Sequence, residues 1–215
     1  MCGVLSPQEL TVLARSTRKA NHAPGEELVG ENTPTASYAN VMKGVVKLTK
    51  GLEDGRQQVV GLQFAPDFLG RLFGQESRVT AEAASDVELC IVPRPALERM
   101  IADTPALEHR LMQQTLRELD EARDWMVTLG RKTAVEKIAS FLLLIALHAN
   151  PERDGHAPIR FDLPLSRGDI ADFLGLTIET VSRQLTKLKT SGVIVLRGLR
   201  EVEIPDIERL RDIAG

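Results

Sequence analysis

The chain has 215 residues, and its 43% hydrophobic and 4% aromatic content is that of a core-forming protein with one large or two small domains, which excludes a disordered chain. Its net charge of −3 excludes a protein that coats nucleic acid indiscriminately, because such binding neutralises many phosphates. The longest nearly apolar run, residues 138–149, is shorter than the roughly 20 residues that cross a bilayer, and we expect no membrane span and no secretion signal. Two cysteines are too few for a secreted fold held by disulfides. This low cysteine count favours a location in the reducing cytoplasm.

The first hundred residues predict a short helix followed by an antiparallel β domain. Ser6 and Glu9 stand three apart in SPQELTVLARS, the spacing of a capping box that opens a helix. Between residues 20 and 100, short apolar segments alternate with turn signals, a pattern typical of an antiparallel roll, barrel or sandwich. These signals are Pro24-Gly25, Gly30, Lys43-Gly44, Asp54-Gly55 and Pro66-Asp67.

A long helix is predicted from about Pro105 to Leu129. One stripe of it follows heptad spacing and predicts self-association into a homodimer; its members are Met112, Thr115, Leu119, Ala122, Met126 and Leu129. The alternative is that this stripe packs against the chain's own β domain, but Leu111 and Leu116 on a neighbouring face could make that contact and leave the stripe free.

The long helix is expected to stop near Gly130, with residues 130–132 as a hinge. Thr133 and Glu136 repeat the capping-box spacing and open a buried helix over 134–148, followed by a polar loop containing Pro151, Gly155 and Pro158. The sequence thus predicts an α+β protein with three parts: a β-roll sensor domain with the short helix over 1–104, a dimerisation helix and hinge over 105–130, and a DNA-binding domain over 131–215.

The last part carries a helix-turn-helix pattern. Ser166 and Asp169 open a short helix, Gly175 interrupts it, and Thr177 caps a second helix that ends at Ser191-Gly192. The segment VIVLRGLREVEI then alternates through a glycine turn, which predicts a β-hairpin wing beside the second helix.

The second helix has two faces of opposite character. Val181, Leu185 and Leu188 form an apolar stripe, and the opposite face carries four polar residues, Glu179, Ser182, Arg183 and Thr186. Residues 180–200 contain five basic residues and no acidic one. A face that is merely solvated is the alternative to a face that contacts DNA.

Base-edge chemistry favours DNA reading over simple solvation. Arg183 can donate two hydrogen bonds to guanine, Glu179 can accept from cytosine N4, and Ser182 can do either. In a helix that contacts only phosphates, a carboxylate would weaken DNA binding by repulsion. In a helix that reads bases, the same carboxylate can discriminate against bases that offer no hydrogen-bond donor. The predicted contacts to the DNA backbone are Thr177, Thr186, Lys187, Lys189, Arg197 and Arg200.

Three motifs and their order resemble the CRP/FNR superfamily over essentially the whole chain: DGRQQVVGLQFAPDFLG, LDEARDWMVTLGRKTAVEKIASFL and DIADFLGLTIETVSRQL. Glu179, Ser182 and Arg183 stand where the FNR branch has its E-x-x-S-R base readers, which implies a TTGAT-like half-site. The resemblance is greatest to FnrN/FnrL-type anaerobic regulators. It implies a homodimeric transcription regulator, an activator that binds a palindromic double-stranded DNA site, contacts RNA polymerase and responds to oxygen.

The same resemblance implies a [4Fe–4S] cluster on four cysteines. Cys2 and Cys90 resemble two of these ligands, and the other two are absent from this chain. We therefore expect the cluster in a longer native protein, from which this chain is truncated at the N-terminus or starts at an internal methionine, and expect this chain itself to be cluster-free. The alternative is that Cys90 is a small buried hydrophobe in a strand and Cys2 has no role.

Three alternatives to oxygen sensing are a cyclic-nucleotide receptor, a regulator without a cluster and an enzyme. A cyclic-nucleotide pocket in this superfamily uses Gly-Glu on the ribose and Arg-Ser on the phosphate, whereas this chain has Gly70-Arg71 and Ser77-Arg78, so we expect no such ligand. A regulator without a cluster, controlled by another effector or by expression level, remains the alternative. We expect no enzyme, because the potential metal ligands His22, His109, His148 and His156 are scattered along the chain.

Overall fold

A computed structural model of the chain describes residues 5–149 and 158–215. The chain divides into two compact units, Met1–Ala122 and Arg123–Gly215. In the described part, no helix is both long and apolar enough to cross a membrane.

The first unit is a β-sandwich preceded by a helix, α1 (Pro7–Ser16). From residue 5 onward its strands are β1 (Arg18–His22), β2 (Glu27–Val29), β3 (Ser37–Lys43), β4 (Val45–Gly51), β5 (Gln57–Phe64), β6 (Phe68–Leu69), β7 (Thr80–Ala83) and β8 (Val87–Pro93). They form two open antiparallel sheets, one ordered β1-β8-β3-β6 and the other β2-β7-β4-β5. The predicted antiparallel β domain is confirmed, with the sheets stacked rather than closed into a barrel.

The core of the sandwich lies between the two sheets. Val41 and Leu89 from one sheet pack with Val46 and Ala81 from the other, each at most 3% exposed. Alternating side chains on a strand point to opposite faces, so each strand contributes every second residue to this layer. The capping box that opens α1 is present, with the Ser6 hydroxyl accepting from the Glu9 backbone N–H and the Glu9 carboxylate accepting from the Ser6 N–H.

Two helices follow the sandwich, α2 (Arg94–Asp103) and α3 (Pro105–Arg131). Leu107 and Leu111 of α3 are buried in a cluster with residues of α1 and α2. The suggestion that Leu116 packs beside Leu111 is wrong, because Leu116 is 54% exposed. The buried face instead continues from Leu111 to Gln114, three residues on and hence on the same side of the helix. The helix ends at Arg131, next to Gly130, which confirms the predicted end of the long helix.

The second unit contains the last turns of α3 and a winged helix-turn-helix. Its elements are α4 (Ala134–Ala149), β9 (Ile159–Asp162), α5 (Arg167–Leu174), α6 (Ile178–Thr190), β10 (Val195–Arg197), β11 (Glu201–Ile204) and α7 (Ile207–Ala214). The strands form one antiparallel sheet in the order β10-β11-β9. Strand β9 and helices α2 and α7 are additions to the elements predicted from the sequence. The polar loop with Pro151 and Gly155 lies outside the described residues.

Local capping places the helices of the second unit as predicted. Ser166 and Asp169 form a complete capping box at α5, and the carboxylate of Glu136 accepts from the backbone N–H of Thr133 ahead of α4. Gly175 ends α5 in the left-handed conformation, at φ +61°. Because left-handed backbone is nearly free of steric cost only for glycine, this residue permits the tight turn into α6. The predicted α+β class and winged helix-turn-helix are thus confirmed.

Candidate nucleic-acid interface

Helix α6 is anchored by one apolar face. Its N-cap Thr177 accepts from the Thr180 backbone N–H, and Val181, Leu185 and Leu188 are 0%, 2% and 1% exposed. Burying three branched apolar side chains stabilises the helix by several kcal/mol at about 1.5–3 kcal/mol each. The same burial fixes the rotation of α6 about its axis, and so decides which residues point outward.

The opposite face of α6 is open to solvent. Glu179, Ser182, Arg183 and Thr186 are all exposed. The structure therefore brings the three predicted base readers together on one accessible surface. The pKa of Glu179 is lowered by hydrogen bonds from its own backbone N–H and from the Thr177 side chain, so its carboxylate is ionised and accepts at neutral pH.

Two hydroxyls on or beside this face already form hydrogen bonds with the backbone of α6. The Thr186 hydroxyl donates to the Ser182 carbonyl at 2.9 Å, and Thr177 Oγ1 caps the helix by accepting from the Thr180 backbone N–H at 3.2 Å. In the part of the chain that the structure describes, Arg183 makes a single long contact, 3.4 Å from Nη2 to Thr180 Oγ1. Arg183 is thus the side chain of this face with most donors available to a ligand.

The basic residues predicted to meet phosphates differ in their surroundings. Lys187 and Lys189 are exposed in the last turn of α6. On the wing, Arg197 Nη2 lies 3.1 Å from the Glu203 carboxylate and Arg197 Nε lies 4.0 Å from that of Glu201. Arg200 is exposed and forms no ion pair within the described residues. The charge of Arg197 is therefore partly offset, whereas that of Arg200 is not.

Glu203 holds two arginines of the wing sheet. Besides Arg197, it accepts from Arg160 Nε at 2.9 Å, and its side chain is 13% exposed. Sequence reasoning missed this arrangement because it counted charges along the chain. The register that pairs Glu203 with both Val195 and Arg160 places the acidic residue between two basic neighbours. The alternation of Arg160 with buried Ile159 was the signal for strand β9.

Basic side chains from other elements hold the C-terminal ends of three helices. Lys137 donates to the Leu174 carbonyl at the end of α5, and Arg209 donates to the Ser191 carbonyl just after α6 at 2.7 Å. Lys132 donates to the Ala214 carbonyl at the end of α7. Cations at helix C-termini satisfy otherwise unpaired carbonyls and oppose the negative end of the helix dipole. These three contacts hold helix ends within the second unit and were not predicted from the sequence.

The stripe of α3 with heptad spacing, called the seam from here on, remains on the surface. Met112, Leu119 and Met126 are 59%, 44% and 72% exposed, Thr115 and Ala122 are also exposed, and Leu129 is partly buried. Exposed apolar side chains at heptad spacing are a surface that a second helix can cover.

Of the two predicted cluster ligands, the described residues include Cys90. Cys90 lies in β8, partly buried and in register with Lys19 and Asn40, and Cys2 lies outside the described residues. Within residues 5–149 and 158–215, no three His, Cys, Asp or Glu side chains are grouped so as to hold a metal ion. His22, His109 and His148 lie in β1, α3 and α4, and His156 is outside the described residues.

A cavity of about 550 Å³ lies in the first unit, lined by the residues compared with a cyclic-nucleotide site. Gly70, Arg71, Ser77 and Arg78 all border it. The Ser77 hydroxyl is occupied by a turn, donating to the Val79 carbonyl at 2.6 Å. Arg78 lies 3.7 Å from the Glu76 carboxylate. The residues that would hold a cyclic phosphate therefore already have intramolecular partners.

Comparisons with known proteins agree with both units. Residues 136–213 match the family described as the Crp-like helix-turn-helix domain, and residues 19–104 match the cyclic nucleotide-binding domain. A probable transcriptional activator of Rhizobium leguminosarum bv. viciae is 52% identical over 98% of this chain and 87% of its own length. Transcriptional activator protein FnrL of Cereibacter sphaeroides is 42% identical over 100% of this chain and 88% of its own.

A solved structure is similar along nearly the whole chain. FixK2 from Bradyrhizobium japonicum is 34% identical, with a TM-score of 0.82 over 93% of this chain and 98% of that chain. The matched relatives are named as transcriptional activators, which agrees with the expectation that the chain is not an enzyme. From the two family matches, the full-length relatives and the exposed face of α6, the chain belongs to the CRP/FNR family of DNA-binding transcription regulators.

Proposed function

We propose that the protein binds, as a homodimer, a palindromic DNA site with TTGAT-like half-sites and activates transcription from it. The observation that supports this most is the face of α6 on which Glu179, Ser182 and Arg183 are exposed together. Arg183 is proposed to donate to guanine O6 and N7, Glu179 to accept from cytosine N4, and Ser182 to bond a third base edge. A recognition helix in the major groove presents side chains to base edges in this way.

The backbone contacts are proposed on both sides of the reading face. Lys187 and Lys189 at the end of α6, and Arg200 on the wing, supply charge to phosphates and fix the register of the protein on the duplex. Thr177, Thr186 and Arg197 are weaker candidates, because their side chains already bond within the protein. Their role is tested by the salt dependence of binding, since each phosphate contact adds about 0.9 to the slope of log K against log salt.

Dimerisation is proposed to occur through the exposed seam of α3. A two-fold dimer presents two copies of α6 to half-sites roughly 34 Å apart, one helical turn of DNA. Asp120, Glu121 and Asp124 lie on or beside the seam, and like charges brought together there oppose pairing. Because apolar burial favours the dimer and charge repulsion opposes it, a small change in free energy at the seam can shift the monomer–dimer equilibrium. Sedimentation that gave one unchanging species with and without DNA would contradict this switch.

We propose oxygen sensing through a [4Fe–4S] cluster only on the condition that two further cysteines are supplied. Such a cluster takes four thiolates, and this chain contains two cysteines. The residues present therefore do not fit the group. The relatives extend beyond the matched region, which covers 87% and 88% of their lengths. Anaerobic purification of the native protein with iron and sulfide analysis tests the proposal; a native protein without iron and sulfide would remove it.

A partner beyond DNA follows from activation. We propose that the bound dimer contacts RNA polymerase in the cytoplasm, as the activator names of the relatives suggest. Co-migration of polymerase, protein and promoter DNA in a gel-shift assay would test that contact.

Selection from a pool of random duplexes tests the proposed function most broadly. The wild-type protein should enrich inverted TTGAT-like repeats whose centres are one helical turn apart. Arg183→Ala should enrich sites that have lost their preference at one base pair of each half. Enrichment of a single half-site by the wild type would contradict the dimer, and enrichment of no sequence would contradict base reading.

A further inference from the structure

Arg167, the first residue of α5, is not an ordinary surface arginine. Its guanidinium is half-buried, it forms no ion pair within the described residues, and its Nη1 atom is buried without a hydrogen-bond partner there. Burial lowers the pKa of this guanidinium. Placing a charge in such surroundings is unfavourable unless its remaining hydrogen bonds compensate. The hydrogen bond that Arg167 does form therefore helps to compensate for the burial of its charge.

That contact reaches the tip of the wing. Arg167 Nη2 donates to the backbone carbonyl of Leu199 at 3.1 Å, across 32 positions of sequence. Leu199 lies in the turn between β10 and β11 and is 87% exposed, so its side chain contributes little to holding the turn. The next carbonyl, that of Arg200, accepts from the Leu163 backbone N–H at 2.9 Å.

The wing hairpin needs such support. Strands β10 and β11 share three paired positions, from Val195 with Glu203 to Arg197 with Glu201. A two-stranded hairpin is marginally stable by itself in water. Strand β9 supports β11 but does not reach the turn, since its register ends at Asp162 opposite Glu201. The turn at 198–200 is thus held from outside the hairpin by the hydrogen bonds to the carbonyls of Leu199 and Arg200.

We propose that Arg167 is a positioning residue for DNA binding, which acts by fixing the Leu199–Arg200 peptide and with it the Arg200 side chain. This inference rests on the proposed function, in which Arg200 meets a phosphate. Among the described residues, Arg200 is the wing arginine without a carboxylate partner, so its orientation decides how much positive charge the wing presents to a phosphate. Arg167 couples the start of the helix-turn-helix to the wing, so that the helix and the wing reach the duplex in one fixed arrangement.

The first part of the test needs no DNA. Arg167→Met removes the donors and keeps the length of the side chain, and Arg167→Lys keeps a charged donor. In the free protein, tryptic cleavage after Arg200, followed by mass spectrometry, should be about fivefold faster in R167M, the factor expected for the loss of one hydrogen bond. R167K should restore most of the protection. Thermal unfolding of each variant checks that the rest of the unit is folded, and unchanged cleavage in a folded R167M would overturn the proposal.

The second part is a double-mutant cycle on affinity for the palindromic duplex. R167M and Arg200→Ala should each weaken binding by about three- to tenfold, and the double variant should bind no worse than R200A alone. Additive losses would overturn the proposal, because they would mean that Arg167 acts on DNA independently of Arg200. A silent R200A would also overturn it. Wild-type preference for the palindrome over a scrambled duplex is scored in the same assay, so failure of the proposed function is recognised separately.

Discussion

Trp125, near the end of α3, packs against Phe173 of α5 with ring centroids 4.5 Å apart. Phe173 in turn meets Phe141 of α4 edge-on, at 6.0 Å. Aromatic pairs in such geometry contribute beyond the area they bury. The last turns of the long helix are thereby joined to the first helix of the helix-turn-helix. Because Trp125 is the sole tryptophan of the chain, its fluorescence reports on the packing of the second unit.

Replacing Gly175 should destabilise the second unit. Gly175→Ala places a Cβ at φ +61°, a conformation that costs other residues about 1–2 kcal/mol even though the surrounding space is open. Gly130→Ala is the matched control, because Gly130 is helical with open space around it and should gain about 0.5–1 kcal/mol. Urea unfolding followed by Trp125 fluorescence should therefore move in opposite directions for the two variants. Shifts of the same sign would contradict the assignment of the turn.

The dimer seam can be tested with two adjacent residues. Met126 is a seam position and Val127 is not, and both are exposed, at 72% and 58%. Met126→Glu should raise the dimer dissociation constant at least tenfold, because a charge would be buried in the apolar contact. Val127→Glu adds the same charge outside the seam and should change it little. Sedimentation velocity at several concentrations measures both, and equal effects would place the contact elsewhere.

Base reading and phosphate binding should respond differently to mutation. Arg183→Ala should cost about 1–3 kcal/mol on the preferred site and flatten discrimination at one base pair. Lys187→Ala should weaken all duplexes alike and lower the salt slope by about one. Fluorescence anisotropy over a salt series, on matched and single-substituted duplexes, separates the two. Identical profiles for the two variants would refute the division of roles on α6.

Glu118 of α3 predicts a pH-dependent stability of the first unit. Burial, then repulsion from Asp67 and Glu121, raise its pKa from 4.5 to about 7, against the opposing effects of Gln114 and Arg117. Ionisation of this carboxylate therefore lowers the stability of the folded state. The loss of stability is absent below pH 4.5, grows between pH 4.5 and about 7, and is complete at higher pH.

Glu118→Gln removes that penalty. The variant should be more stable than the wild type at pH 8, on the order of 1 kcal/mol after allowance for the partial exposure of the side chain. At pH 4.5 the two proteins should be equally stable. Thermal unfolding at both pH values provides the measurement, and a gain at pH 4.5 equal to that at pH 8 would exclude titration of Glu118 as its cause.

Local signals in the sequence predicted the local structure of the chain. Ser6 with Glu9 and Ser166 with Asp169 act over three residues, so their hydrogen bonds depend little on the rest of the fold. The apolar stripe of α6 likewise follows from helical periodicity alone, and it determines the outward face on which the three proposed base readers lie.

Long-range partners could not be predicted in the same way. Arg209 reaches the end of α6 across 18 positions, and Lys132 reaches the end of α7 across 82. Composition identified a basic window over residues 180–200, but the hairpin register then brought Glu203 against Arg197. Of the two residues suggested to pack against the β domain, Leu111 is buried and Leu116 is exposed, because periodicity gives the direction of a face and not the extent of the surface that covers it.

The central claim is that exposed side chains on α6 read a palindromic sequence. Competition binding at about 150 mM salt, with a labelled inverted repeat of TTGAT displaced by the same repeat or by a scrambled duplex of equal composition, tests it most directly. The account predicts that the repeat competes at least a thousandfold better, in line with the specificity of comparable regulators, and that Arg183→Ala narrows this ratio. Equal competition by both duplexes would show that the protein recognises only the DNA backbone, and would contradict the account.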